Sequence, residues 1–170
     1  MNSSKFGLHK QDLIDVLEKH VFTSGALAIK AGGNVLAATA AATQYFIGGK
    51  LYALAASDMA SLVGTVNNSG TTLDMINVFV FTVNAAGTVA TTMGTEAAAL
   101  EDVVFPDTPA DEVVIGFVII DLATGAGTGD FVGGTTDLDD GTVVPSAVYI
   151  NATAPMRFST ATESEAVDSD

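Results

Sequence analysis

MINVFVFTVN (75–84) is the longest strand candidate of the chain. Read at period two, Ile76, Val78, Val80 and Thr82 share one face, and Asn77, Phe79, Phe81 and Val83 share the other. Both faces are largely apolar, so the stretch predicts a central strand covered on both sides. VVIGFVIIDL (113–122) reads the same way. Outward from these two, apolar runs alternate with Gly, Asn and Asp punctuation. ALAIKA (26–31) meets NVLAATA (34–40) across Gly32-Gly33. TQYFI (43–47) meets KLYALAA (50–56) across Gly48-Gly49, the clearest hairpin signal. ASLVGTV (60–66), TVATTM (88–93) and FVGG (131–134) read as further strands. VVPSAVYIN (143–151) predicts an edge or bulged strand because Pro145 cannot donate to a ladder. TEAAALEDV (95–103) reads as one or two helical turns, FPDTPADE (105–112) as a loop, and TGAGTGD (124–130) as a Gly-rich connection.

The N-terminal segment has a different period. Leu13, Ile14, Leu17 and Val21 form a narrow apolar stripe, which predicts an amphipathic helix over 10–22. Ser24-Gly25 is the expected terminus, with Gly25 in the left-handed conformation. A helix this short is marginal alone, so its stripe must be buried against the body, a second subunit or a partner. After Met156 the period is lost, and four acids fall within 163–170. The expected organisation is an arm and helix (1–24), a β domain (25–155) and an acidic tail (156–170). The expected fold is mainly β, an antiparallel β-sandwich or barrel, jelly-roll-like, with a short N-terminal helix or arm.

Composition narrows the function classes. The chain has 170 residues, no Cys and a net charge of −14. At this length one domain buries roughly 70% of the surface its unfolded chain exposes. Without Cys there is no disulfide framework, zinc-thiolate site or cysteine nucleophile. Six basic residues are too few to wrap a nucleic acid. Five of them (Lys5, Lys10, Lys19, Lys30, Lys50) precede residue 51, against three acids; beyond it Arg157 stands alone against seventeen. A mildly basic leading arm on an acidic body suggests two surfaces with different roles. The first 24 residues do not read as a signal peptide, and no stretch approaches the ~20 apolar residues that span a bilayer. The sequence reading is a protein made in a cytosol that works in water.

Catalytic and ligand motifs are weak. His9 and His20 are both in the N-terminal segment, eleven residues apart and thus on one helical face, with no nucleophile beside them. Glu101-Asp102, Asp111-Glu112 and Asp137/Asp139/Asp140 are the candidate carboxylate pairs. A glycosidase cleft lined by aromatics is not suggested, because there is no Trp and Tyr occurs three times. DLDDG (137–141), with Asp130 nearby, resembles part of a calcium loop. Its Gly falls at position five rather than six, and position twelve carries no acid. GAGTGDFVGG has neither phosphate-loop spacing nor a Lys-Ser/Thr pair. The expectation is no enzyme, no cofactor and no metal.

Four segments carry a family resemblance: YFIGGKLYALAASD (45–58), MINVFVFTVNAAGTVATTMG (75–94), FPDTPADEVVIGFVIID (105–121) and GDFVGGTTDLDDGTVVPSAVYIN (129–151). Together they resemble small virion proteins of tailed bacteriophages, the capsid decoration, cement or head-fibre type. The resemblance implies a homotrimer or other small oligomer on the capsid surface, made in the host cytoplasm, and no catalysis. It implies an arm on the major capsid protein and a β body projecting outward. The expected partner-binding residues are Leu8, Leu13, Ile14, Leu17, Val21 and Phe22. Two alternatives stand beside decoration. One is a trimeric head-fibre or tail/baseplate module that binds host glycans through Tyr149 or the 124–141 loops. The other is a soluble small-ligand-binding β barrel.

Overall fold

A computed structural model describes residues 19–30, 34–68, 75–122, 129–144 and 146–152. The strands are β1 (Lys19–Val21), β2 (Leu27–Ile29), β3 (Ala37–Thr39), β4 (Thr43–Ile47), β5 (Lys50–Leu54), β6 (Thr65–Val66), β7 (Ile76–Asn84), β8 (Val89–Met93), β9 (Glu112–Asp121), β10 (Phe131–Val132) and β11 (Ser146–Asn151). They form four antiparallel sheets, ordered β11-β9-β7-β8, β1-β4-β5, β2-β3 and β10-β6. The chain is therefore mainly β. Among the described residues no helix is long and apolar enough to cross a membrane.

β7 and β9 are the central pair of the four-stranded sheet, and every residue of Ile76–Val83 is buried. The two faces separate as the alternation predicts. Phe79, Phe81 and Val83 enter the main core with Val118, Ile120, Leu62, Phe131 and Tyr45. Val78 and Val80 pack with Phe117 in a second core, covered in part by Val103 and Phe105. The register shifts between Phe81 and Thr82: Phe81 pairs Gly116 and Thr82 pairs Val114, so Ile115 is the extra residue of a bulge. That extra residue lets Val113 and Ile115 face the main core before the shift, and Val118 and Ile120 after it.

The hairpin of β4 and β5 closes with Ile47 opposite Lys50. Gly48 and Gly49 have φ of +57° and +73°, the doubly left-handed turn that matches strand twist and that side chains resist. β11 is an edge strand, as Pro145 implied.

Several expectations change. Residues 19–21 are not helical. They form β1, which pairs with Tyr45–Ile47 of β4, so they are part of the β body. Residues 10–18 lie outside the described residues, as does the tail from 156. Gly25 is not left-handed; Ala26 is, at φ +52°, with its N–H donating to Ser24 Oγ at 3.0 Å. Gly25 is needed for space instead. A Cβ there would sit 2.4 Å from Thr43 Oγ1 and 2.7 Å from Thr39 Cγ2, both on buried residues. ASLVGTV contributes strand only at Thr65–Val66, and TEAAALEDV a single 3-10 turn at Leu100–Asp102.

The β1-β4-β5 sheet lies against β9 along one side. Tyr45, 1% exposed, anchors it there by donating its hydroxyl to the Asn84 carbonyl at 3.0 Å. Burial, reinforced by the neighbouring Tyr52, raises the Tyr45 pKa, which keeps that donor protonated.

Candidate interaction surface and cavity

Because strands alternate, consecutive residues of β1 and its extension point in opposite directions. Val21 turns inward and is buried in the main core. It is therefore unavailable to a partner, which corrects its place in the apolar stripe. Phe22 turns outward and is 49% exposed. Leu8, Leu13, Ile14 and Leu17 lie outside the described residues.

The outward side of β1-β4-β5 joins Phe22 and His20 to Phe46 and Leu51, two residues the sequence reading did not single out as contacts. His20 pairs with Phe46, and Phe46 with Leu51, so the three form one row across the sheet. The next row is held by Phe22, whose N–H donates to the Gln44 carbonyl at 2.8 Å. The rings touch: His20 to Phe22 at 4.1 Å, Phe22 to Phe46 at 4.8 Å, and His20 stacked on Phe46 at 5.5 Å. Leu51 is 58% exposed beside them. His20 Nδ1 is buried within this group and has no hydrogen-bond partner among the described residues. Lys19 and Lys50 flank Ile47 at one end, where Lys19 Nζ donates to the Pro109 carbonyl. The result is a partly exposed aromatic patch, with Lys19 and Lys50 on the opposite face by the same alternation, on a chain of net charge −14. The signal for it lay in TQYFI and KLYAL. At period two, Gln44 and Phe46 share one face with Leu51 and Ala53 once the Gly48-Gly49 turn sets the register.

The carboxylates have mostly structural roles. Glu112 accepts a hydrogen bond from the Thr82 hydroxyl, Glu96 accepts from Asn67, and Asp130 accepts from the Asn68 N–H. Glu101 and Asp102 sit exposed on the 3-10 turn. Among the described residues, no three His, Asp or Glu side chains gather to hold a metal. DLDDG is a tight turn instead. The Asp140 N–H donates to the Asp137 carbonyl, Asp140 Oδ1 accepts from the Thr142 N–H at 2.9 Å, and Leu138 plugs into the core.

That turn forms the rim of a cavity of about 330 Å³ between β2 and β11. Ile29, Leu138, Val144 and Ala147 supply aliphatic wall, and Asp139 and Tyr149 supply the ionisable groups. The Tyr149 hydroxyl is buried and has no hydrogen-bond partner among the described residues. Such a group costs on the order of 1–3 kcal/mol relative to a solvated one. Burial, with the nearby Asp139 carboxylate, pushes its pKa up to about 12.

The sign of the resulting pH dependence follows. The folded state holds the phenolic proton to a higher pH than an unfolded tyrosine does, which releases it near 10. Stability from this group is therefore complete below pH 10 and is lost as pH rises toward 12. Tyr149→Phe removes this loss. In melts between pH 9 and 12, the variant's Tm is expected to gain on the wild type as pH rises. A constant difference across that range would contradict the assignment.

Comparison of the chain with protein-family models, with curated proteins and with solved structures finds no match.

Proposed function

We propose that this chain is a non-enzymatic structural protein of a tailed-bacteriophage virion. In this reading it sits at the capsid surface, made in the host cytoplasm, and bridges copies of the major capsid protein. The likeness of residues 43–151 to small virion proteins supplies the class. The observation that carries attachment is the row of half-buried His20 and Phe46 with exposed Leu51, and exposed Phe22 beside it. An exposed aromatic patch of this kind suits a protein contact, since buried aromatic anchors supply much of the binding energy of interfaces. The patch begins where the N-terminal segment enters the sheet. The arm residues Leu8, Leu13, Ile14 and Leu17 extend the apolar contact onto the shell, and Phe22 joins it. Val21 supports it from beneath. The acidic remainder faces outward and limits sticking to nucleic acid and to other virions. The body is a jelly-roll-like β-sandwich, with β1-β4-β5 as the layer facing β9, and it assembles as a homotrimer.

The test is co-sedimentation with phage heads that lack the protein. The cut belongs before Lys19, because β1 is part of the body. The full chain is expected to co-sediment and to protect heads against heat. A chain beginning at Lys19 is expected to keep its β circular-dichroism spectrum and to lose most attachment. Equal attachment by both would remove the arm from the proposal, and failure of the full chain to bind would remove the capsid.

A further inference from the structure

We infer that the cavity between β2 and β11 is a binding site for a small organic cation, a primary ammonium group carrying a short hydrocarbon tail. A volume of about 330 Å³ lies at the small end of ligand sites, which run from roughly 300 Å³ upward. Its composition is that of such a site: mostly aliphatic wall with two convergent polar groups. Leu138 and Val144 are buried beneath it, and Ile29 and Ala147 are half-buried at its sides. These offer hydrocarbon contact and nothing that hydrogen-bonds through a side chain.

The charge of the ligand follows from the other two side chains. Asp139 is exposed at the rim and has no ion-pair partner among the described residues. Among the described residues no basic side chain lines the cavity. The chain as a whole carries −14, so its field also favours cations and opposes anions. Tyr149 stays un-ionised throughout the physiological range, so its oxygen is a neutral acceptor beside the carboxylate. An ammonium donates three hydrogen bonds and presents one positive charge. It answers the Asp139 carboxylate and offers the unpartnered Tyr149 hydroxyl a donor. The tail then lies against Leu138 and Val144. An alcohol meets the hydroxyl but not the charge, and a carboxylate ligand is repelled.

The rim holds its shape without a ligand. The Leu138 N–H donates to the Asn34 carbonyl at 3.0 Å, and the Val144 N–H to the Asp140 carbonyl at 2.6 Å. Asp139 is thus presented by a turn fixed on both sides. A buried hydroxyl left unpaired beside a carboxylate is destabilising for the empty protein. Groups of that kind are retained where binding needs them, at the expense of stability.

The experiment uses the full chain with carbon-13-labelled methyl groups, titrated separately with n-butylammonium chloride, n-butanol and sodium butyrate. Butylammonium is expected to give saturable shifts at the Ile29, Leu138, Val144 and Ala147 methyls. Butanol is expected to bind at least tenfold more weakly, and butyrate to leave these methyls unmoved. Asp139→Asn is an exposed substitution that preserves the fold. It is expected to weaken butylammonium at least tenfold, and Tyr149→Phe several-fold. Equal affinity for butanol and butylammonium, or an Asp139→Asn variant that binds as the wild type does, overturns the inference. So does the absence of saturation by roughly 100 mM, far above the ~1 mM scale accessible to a five-atom probe. In that case the cavity holds water alone.

Discussion

Replacing Phe22 and Phe46 together by Asp is expected to weaken capsid attachment by at least ~100-fold. Each ring is an anchor of the size that dominates alanine scans, where hot-spot losses start at about 2 kcal/mol. Since about 1.4 kcal/mol is tenfold in affinity, two such losses exceed 100-fold even if they are not fully additive. The carboxylates add the cost of burying charge in an apolar contact. The free protein is expected to lose some stability and to keep its fold. Phe22 is half exposed, and the two rings stack mainly on each other and on His20. The three ring contacts among Phe22, Phe46 and His20 are forfeited, each worth about 0.5–1.5 kcal/mol, together with the half-buried area of Phe46. Quantitative sedimentation with heads, beside a thermal melt, separates the two effects. Attachment within threefold of wild type would place the contact elsewhere.

Phe79→Ala is the largest expected loss of stability. Phe79 is fully buried at the middle of β7, opposite Met93 of β8 and Val118 of β9. Its ring meets Phe131 edge-on at 5.8 Å, joining the four-stranded sheet to the small β10-β6 sheet. Truncation leaves a cavity between two sheets that cannot close without breaking pairing, and costs about 3–5 kcal/mol. Against a total of about 5–15 kcal/mol for a domain, that lowers Tm by roughly 6–20 °C. Thermal melts check it. A loss under about 1 kcal/mol would mean that β7 is not central.

How much of this the residues disclosed depends on how local the deciding interaction is. MINVFVFTVN announces a two-sided strand because its alternation is long enough to read, and the two cores on its faces follow from it. Gly48-Gly49 announces its hairpin because the turn itself demands left-handed residues. KHV (19–21) is different. Three residues are too few to show period two, and the stripe through Leu13, Ile14, Leu17 and Val21 suits a helix. Pairing with Tyr45–Ile47 of β4, more than twenty residues on, makes it a strand. That pairing sends Val21 to the core and Phe22 to the surface, which no helical reading of the stripe separates. Gly25 looked like a helix end because Ser-Gly is a common terminus. Its reason is the approach of Thr39 and Thr43 from β3 and β4. The cavity was legible in its parts and not as a whole. Tyr149 and the DLDDG turn are far apart in pattern, and it takes the antiparallel return of β11 along β9, beside β2, to bring Asp139 and Tyr149 to one cavity.

In the proposed reading the aromatic face of β1-β4-β5 is seated on a phage capsid. Electron cryomicroscopy of the virion tests it most directly. Density for this chain is expected on the outer shell, with Phe22, Phe46 and Leu51 against the major capsid protein and the acidic surface outward. A virion without the chain, or one in which β1-β4-β5 faces solvent while another surface makes the contact, would contradict it.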